Sequence, residues 1–235
     1  MTGSVEIEIW SDVVCPWCYV GKRHLEQALE QFAHRDEVEI VWKAYELDPH
    51  APPQRVGSYP ERIARKYGIS EEQARASILR IVNAGADAGI DFRFDDLRAG
   101  NTFDAHRLLH FARSLGVQNE LKERLLFATF TEGHPIGDPE TLVKLAGDVG
   151  IAESDARRVV DGDDFAREVR EDEARAMEIG TTGVPFFVFD GRFGVSGAQP
   201  PETLLHVLER AWSETNPIEI IGVSDAACED DACEV

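Results

Sequence analysis

The feature that constrains this chain most is the stretch "VEIEIWSDVVCPWCYVGKRHLEQALEQF", from Val5 to Phe32. Its first six residues alternate Val5, Ile7 and Ile9 with Glu6 and Glu8, the pattern of a strand with one buried face. From Cys15 onward Leu25, Leu29 and Phe32 fall near one side of a helix. Cys15 and Cys18 therefore stand where a strand hands over to a helix. Pro16 suits a first-turn position, where its missing N–H costs little. Unpaired backbone N–H groups at a helix start favour a thiolate over a thiol. The spacing predicts Cys15 as a nucleophile, with Cys18 nearly one turn on and able to attack Cys15 in a mixed disulfide. Two buried packing cysteines, or half of a zinc site, are the competing readings of CxxC.

The rest of the chain supplies a consistent frame. "VEIVWKAYEL" predicts a second strand from Val38 to about Tyr45, and Pro49, Pro52, Pro53 and Pro60 then break the pattern. From Ser58 to about Asp161 the signals are almost all helical. Ser70 with Gln73 reads as a capping box for a helix bearing Ile78, Ile81 and Val82. Asn101 is a candidate cap for the helix with Ala105, Leu108, Leu109 and Ala112. Asp138-Pro139 starts another helix, which Gly150 can close. A helix over about Asp164 to Ile179 leads to "VPFFVFDGRFGVSG", two strands joined at Asp190-Gly191, residues that tolerate positive φ. Pro200-Pro201 opens a last helix to about Trp212.

The order strand–helix–strand, helical block, helix, hairpin, helix predicts an α/β fold: a thioredoxin-like mixed sheet interrupted by an all-helical insertion. Residues 1–56 and 162–216 form the discontinuous thioredoxin-like part, 57–161 the insertion and 217–235 an acidic tail. In that frame Pro185 stands just before a strand, where a cis-proline loop would lie against the cysteines. A cis Val184–Pro185 bond would turn Val184 backbone groups toward a peptide substrate for β-like pairing.

Charge narrows the partners. With 44 acidic and 24 basic side chains the formal charge is −20, spread along the chain. Such a surface repels nucleic acid and anionic membranes. Lysine occurs only at positions 22, 43, 66, 122 and 144, and an acidic, lysine-poor surface resembles those of salt-accumulating halophiles. No run of about 18 apolar residues is present, so no membrane span is expected. "MTGSVEIEIW" reads as no secretory signal, which points to the cytoplasm, where cysteines tend toward redox or metal work.

Four stretches, "SDVVCPWCYVG", "NTFDAHRLLHFA", "FTEGHPIGD" and "TTGVPFFVFDGRFGVSGAQP", resemble the DsbA family of thioredoxin-fold disulfide oxidoreductases, and within it the FrnE-like branch. The resemblance extends to about residue 213. It implies thiol–disulfide exchange with protein or low-molecular-weight thiols, Cys15 attacking and Cys18 resolving. It also implies a helical insertion over the dithiol, no bound organic cofactor and an electron-exchange partner. It places Asn101 and His106 near the active-site groove, alongside Pro16, Trp17, Val184 and Pro185. A glutathione-type isomerase or transferase of the kappa or 2-hydroxychromene-2-carboxylate isomerase kind is the alternative enzyme, though such proteins often keep a single catalytic Ser or Cys. A zinc module built from Cys15, Cys18, Cys228 and Cys233 is the non-enzymatic alternative.

Other residues are weaker candidates. His106 and His110, four apart, have metal-ligand spacing but no third ligand, and no metal is expected. His24 and His34 read as surface groups. Trp10, Trp42 and Trp212 read as core aromatics, while Trp17, between the cysteines, is expected to be exposed. Cys228 and Cys233, in "CEDDAC", are a candidate second dithiol that exchanges with Cys15 or regulates access to it; an independent stabilising disulfide or free tail thiols are the competing readings. The chain after Asn216 can stretch about 60 Å, enough to return to Cys15. Glu229, Asp230 and Asp231 should raise those thiol pKa values and slow their attack.

Overall fold

A computed structural model describes residues 3–216. Cys228 and Cys233 lie outside the described residues. Four strands form one mixed sheet in the order β2-β1-β3-β4. β1 (Val5–Ser11) runs parallel to β2 (Val38–Ala44), with Val5 opposite Val38 and Ser11 opposite Ala44. β3 (Phe186–Phe189) is antiparallel to β1 and joins β4 (Phe193–Ser196) through a tight turn. The turn carries positive φ at both Asp190 (51°) and Gly191 (66°), as the sequence pair predicts.

The alternation in β1 is realised directly. Val5, Ile7 and Ile9 are buried against α1 (Pro16–Gln31) and α9 (Pro201–Thr215), sharing a core with Leu25, Ala28, Phe187, Leu204 and Leu208. Between β2 and α8 (Ala166–Glu178) the chain forms α2 (Tyr59–Tyr67), α3 (Glu71–Asp87), α4 (Phe103–Ser114), α5 (Gln118–Phe130), α6 (Pro139–Asp148) and α7 (Glu153–Asp161). Helices α4 to α7 enclose a second core of Leu108, Leu121, Leu125, Leu145 and Val159. A third, aromatic core gathers Phe92, Phe94 and Phe130.

The loop and helix that carry the cysteines touch all three cores. Val13 inserts into the second, Tyr19 and Val20 into the third, and Leu25 and Ala28 into the first. Insertion and sheet are also joined by specific polar contacts. Gln118 on α5 accepts the Trp42 N–H through Oε1 at 3.0 Å and donates from Nε2 to the Trp42 carbonyl at 2.9 Å. Asp172 on α8 takes the Ala44 N–H at 2.8 Å and faces Lys43 Nζ and His110 Nε2, both at 2.9 Å.

Local signals set several boundaries. Ser70 and Gln73 form the reciprocal capping box, and Ser58 with Glu61 forms a second one at α2. Asp138 caps α6 by accepting the Thr141 N–H. Two expectations shift. Thr102, not Asn101, is the capping residue of α4, because Asn101 lies one position earlier; its Oδ1 still accepts the Phe103 N–H at 2.9 Å. The helical block is interrupted between α3 and α4, where residues 88–102 run without regular structure. There Phe92, Phe94, Leu97 and Ala99 point inward to fill the aromatic core, so tertiary burial takes precedence over helix continuity.

Candidate active site

Cys15 occupies the N-cap of α1 in an extended conformation, with φ −98° and ψ 109°. Its Sγ accepts the Cys18 backbone N–H at 3.3 Å, and Pro16 fills the first turn. The Cys15 thiol donates to the Val184 carbonyl at 3.5 Å. Val184–Pro185 is cis, and the Pro185 carbonyl accepts the Gly197 N–H at 2.8 Å, which ties this loop to the end of β4. Both cysteines are free thiols and nearly sealed, Cys15 at 4% and Cys18 at 1% exposure. Trp17 between them is 40% exposed. Trp10 and Trp42 are buried and Trp212 half-buried against Phe32 and His34.

Gly21 lies one turn beyond Cys18 and lets the proline loop approach. A side chain there would begin 2.9 Å from Pro185 Cγ and 3.3 Å from Phe187 Cζ. The loop and the dithiol are thus brought together by the absence of one Cβ.

Beneath the cysteines lies a buried polar group that sequence reasoning missed. Asp12 accepts the Leu47 N–H through Oδ2 at 2.8 Å and the Val14 N–H through Oδ1 at 3.4 Å. His106 Nε2 stands 3.4 Å from Asp12 Oδ1. Burial pushes this carboxyl up, but the His106 bond and charge, the Leu47 N–H and the Lys122 charge together hold it below the usual carboxylate value. Lys122 is also buried, with Nζ 3.4 Å from the Ser11 carbonyl and 5.2 Å over the Trp42 ring. For Cys15 itself, burial pushes the thiol well up, and the neighbouring Cys18 and the Asp12 charge act the same way; the Cys18 N–H opposes them. The helix start alone would give the lowered value the sequence predicts. Desolvation outweighs it while the site is closed.

The remaining candidates sit close by but in other roles. His106 is buried and turned to Asp12, so it does not reach the surface. Asn101 Nδ2 donates to Glu46 Oε1 at 3.4 Å and to the Pro49 carbonyl at 3.3 Å. His110 faces Asp172, so the two histidines address different carboxylates rather than one shared point. Glu46 is itself buried; burial raises its carboxyl, against the partly compensating Arg170 at 2.6 Å. Tyr59 belongs to the surroundings too: burial pushes its hydroxyl up and the Cys15 charge adds to the push.

Comparison with known proteins agrees with this arrangement. The DSBA-like thioredoxin domain family matches residues 6–209. A solved structure of a probable DsbA oxidoreductase from Streptomyces coelicolor is 42% identical, with a TM-score of 0.85 over 98% of this chain and 99% of that one. The uncharacterized protein YwbO of Bacillus subtilis is 27% identical over 90% of this chain and 97% of its own length. At 17% identity, the cytosolic disulfide reductase DsbM of Pseudomonas aeruginosa shares the fold, with a TM-score of 0.62 over 87% of this chain and 98% of that one. A cysteine pair at the head of α1, a cis-proline loop against it and a match over nearly the whole sheet-and-helix frame lead to one assignment: the chain belongs to the DSBA-like thioredoxin domain family.

Proposed function

We propose that this protein is a thiol–disulfide oxidoreductase acting on protein or low-molecular-weight disulfides, with Cys15 as nucleophile and Cys18 as resolving thiol. The observation that carries the reading is the position of Cys15 Sγ between the Cys18 N–H at 3.3 Å and the Val184 carbonyl at 3.5 Å. The N–H stabilises negative charge on the sulfur, and the carbonyl belongs to the segment where an extended peptide could pair. Opening of the site by substrate would rehydrate the thiol, and removing the desolvation leaves the helix start as the dominant influence.

The chemistry runs in two displacements. The Cys15 thiolate attacks one substrate sulfur; a Cys15–substrate disulfide forms, the substrate S–S bond breaks and one substrate thiolate leaves. The Cys18 thiolate then attacks Cys15; the Cys15–Cys18 bond forms and the second substrate thiolate leaves. The substrate gains two electrons, and a separate dithiol partner returns the protein to its reduced form. Run backward, the same steps oxidise a substrate dithiol. Presence of both cysteines supports exchange over the single-cysteine isomerase or transferase reading. Trp17, Pro16, Val184 and Pro185 are the proposed substrate contacts. Asn101 and His106 would act from beneath, through Glu46 and Asp12. We infer that the protein works in concentrated salt on the composition argument, a −20 charge with few lysines.

The test is reduction of a protein disulfide and of a small aromatic disulfide by the wild type, Cys15→Ser and Cys18→Ser. Cys15→Ser should lose all exchange, and Cys18→Ser should accumulate mixed disulfides through Cys15. Preferential alkylation of Cys18 at mildly acidic pH would overturn the assignment.

A further inference from the structure

Acidic side chains outnumber basic ones by 44 to 24, so a carboxylate is seldom far from an arginine. Arg23, Arg107, Arg124, Arg157 and Arg170 each hold one. Arg62, on α2, does not. It is half-buried, and its Nη2 is sealed from solvent with no hydrogen-bond partner among the described residues. Its guanidinium lies over the Tyr59 ring, with Cζ 5.6 Å from the centroid. Its charged neighbour is Arg55, of the same sign, whose own carboxylate is Asp48. Burial and the Arg55 charge draw the Arg62 guanidinium below its ordinary value, and Tyr59 opposes them. A sealed donor on a cation beside a second cation costs free energy until an acceptor arrives.

Tyr59 ties this cation to the dithiol. Its ring stacks on Phe94 at 4.7 Å and packs against the aromatic core. Val14, the residue before Cys15, and Ala198 pack against the same core. The Ala198 Cα stands 3.6 Å from the point where a Gly21 Cβ would be, and Pro185 Cγ stands 2.9 Å from that point. The core under Tyr59 is therefore shared with the Cys15 loop and with the surroundings of the cis-proline. The stretch that leads into α2 is pinned as well. Leu47 N–H donates to Asp12 at 2.8 Å, Arg55 N–H to the Ala99 carbonyl at 2.9 Å, and the Ser58–Glu61 box fixes the helix start. Arg62 is thus held in place before any substrate arrives.

Resting on the oxidoreductase reading above, we propose that Arg62 determines specificity by seating a carboxylate of a low-molecular-weight disulfide whose sulfur is presented to Cys15. The substrate class is the disulfide of a small carboxylate-bearing thiol. A guanidinium offers a carboxylate two parallel N–H donors, and Nη2 gains the acceptor it lacks. The bound anion also offsets the repulsion between Arg62 and Arg55. A terminal carboxylate on a small flexible molecule reaches a half-buried guanidinium that a side chain on a folded protein surface does not. The net charge sharpens the selection. A surface at −20 repels anions in general, so an anionic disulfide depends on a local cation. A neutral disulfide gains nothing from Arg62. The exchange steps are those written above.

Two measurements test this. The first follows reaction of the dithiol with 5,5′-dithiobis(2-nitrobenzoate), a dianion, and with 4,4′-dithiodipyridine, which is neutral. The proteins carry Cys228→Ser and Cys233→Ser, so that only the dithiol reacts. In Arg62→Met the rate constant for the dianion at low concentration should fall by about tenfold or more. The loss should lie in the saturation constant and not in the limiting rate, and the neutral disulfide should react as before. Arg62→Lys should recover part of the loss. Arg80→Met, which removes the same charge from an exposed position on α3, should leave both rates unchanged. Equal slowing with both disulfides, an unchanged rate with the dianion, or the same loss in Arg80→Met would overturn the proposal. Failure of the parent protein to react with the neutral disulfide would sink the oxidoreductase reading instead. The second measurement does not depend on exchange. In protein with all four cysteines changed to serine, the Arg62 Nε–Hε NMR signal should shift saturably with the dianion and stay still with the neutral disulfide. No shift with the dianion would overturn the proposal, and this titration also decides it should Arg62→Met fail to fold.

Discussion

Gly21 and Pro185 occupy adjoining space because Gly21 has no side chain: a Cβ would stand 2.9 Å from Pro185 Cγ. Gly21→Ala must therefore push the proline loop away from α1 or bend the helix. Overpacking of this kind costs about 1–3 kcal/mol, offset by up to about 1 kcal/mol of better helix propensity. A urea melt should show the net loss, and exchange with a small disulfide should slow because Val184 moves from Cys15. Wild-type values in both assays would show that the loop yields freely.

Asp172 predicts an acid dependence. Burial raises its carboxyl, but His110, the Ala44 N–H and Lys43 together bring it below the ordinary value of 3.8. A carboxyl lowered on folding contributes its full stability above the unfolded value and loses it as pH falls through the folded one. Asp172→Asn should cost about 2–4 kcal/mol near neutrality. The difference from wild type should shrink as pH drops below about 4. A pH-independent difference in denaturant melts would remove this account.

Gln118→Ala should leave the N–H and carbonyl of Trp42 without partners. An unsatisfied buried polar group costs about 1–3 kcal/mol. Hydrogen exchange at the Trp42 amide should accelerate more than at the neighbouring amides of β1. Equal protection in the variant would mean that other groups replace the glutamine.

Salt should stabilise the protein. A formal charge of −20 sets the surface against itself, and the Debye length falls from about 10 Å at 0.1 M to 3 Å at 1 M. The melting temperature should climb as KCl is raised into the molar range. A flat or falling curve would exclude salt adaptation.

Most of the frame could be read from the chain because its signals are local. The alternation of Val5, Ile7 and Ile9, the capping box of Ser70 and Gln73, and the Asp190-Gly191 turn each depend on a few neighbouring residues. The dithiol was equally legible, since Cys15, Pro16 and Cys18 define the head of one helix. The buried polar group was not. Asp12 gains its meaning from Leu47 and His106, which the fold brings in from β2's exit and α4. Lys122 offered a faint signal: Gln118, Lys122, Leu125 and Thr129 share one buried face of α5, so a lysine falls where apolar spacing continues. Spacing alone does not separate that lysine from a solvated one, because only the tertiary arrangement brings Trp42 and Ser11 over it. The place of His106 near the dithiol came from the family resemblance, and its burial against Asp12 matches the competing reading of a packed histidine.

β2 is the outer strand on its side of the sheet, and Gln118 of the inserted helices takes both hydrogen-bonding groups that Trp42 turns outward. An amide side chain thereby imitates the next strand. An uncovered outer strand is a template for a foreign strand, and thus for aggregation. The insertion accordingly closes one flank of the sheet to further growth and leaves β4, four residues long, as the other. Helices added around the chemistry of the dithiol also keep the protein from adding strands to itself.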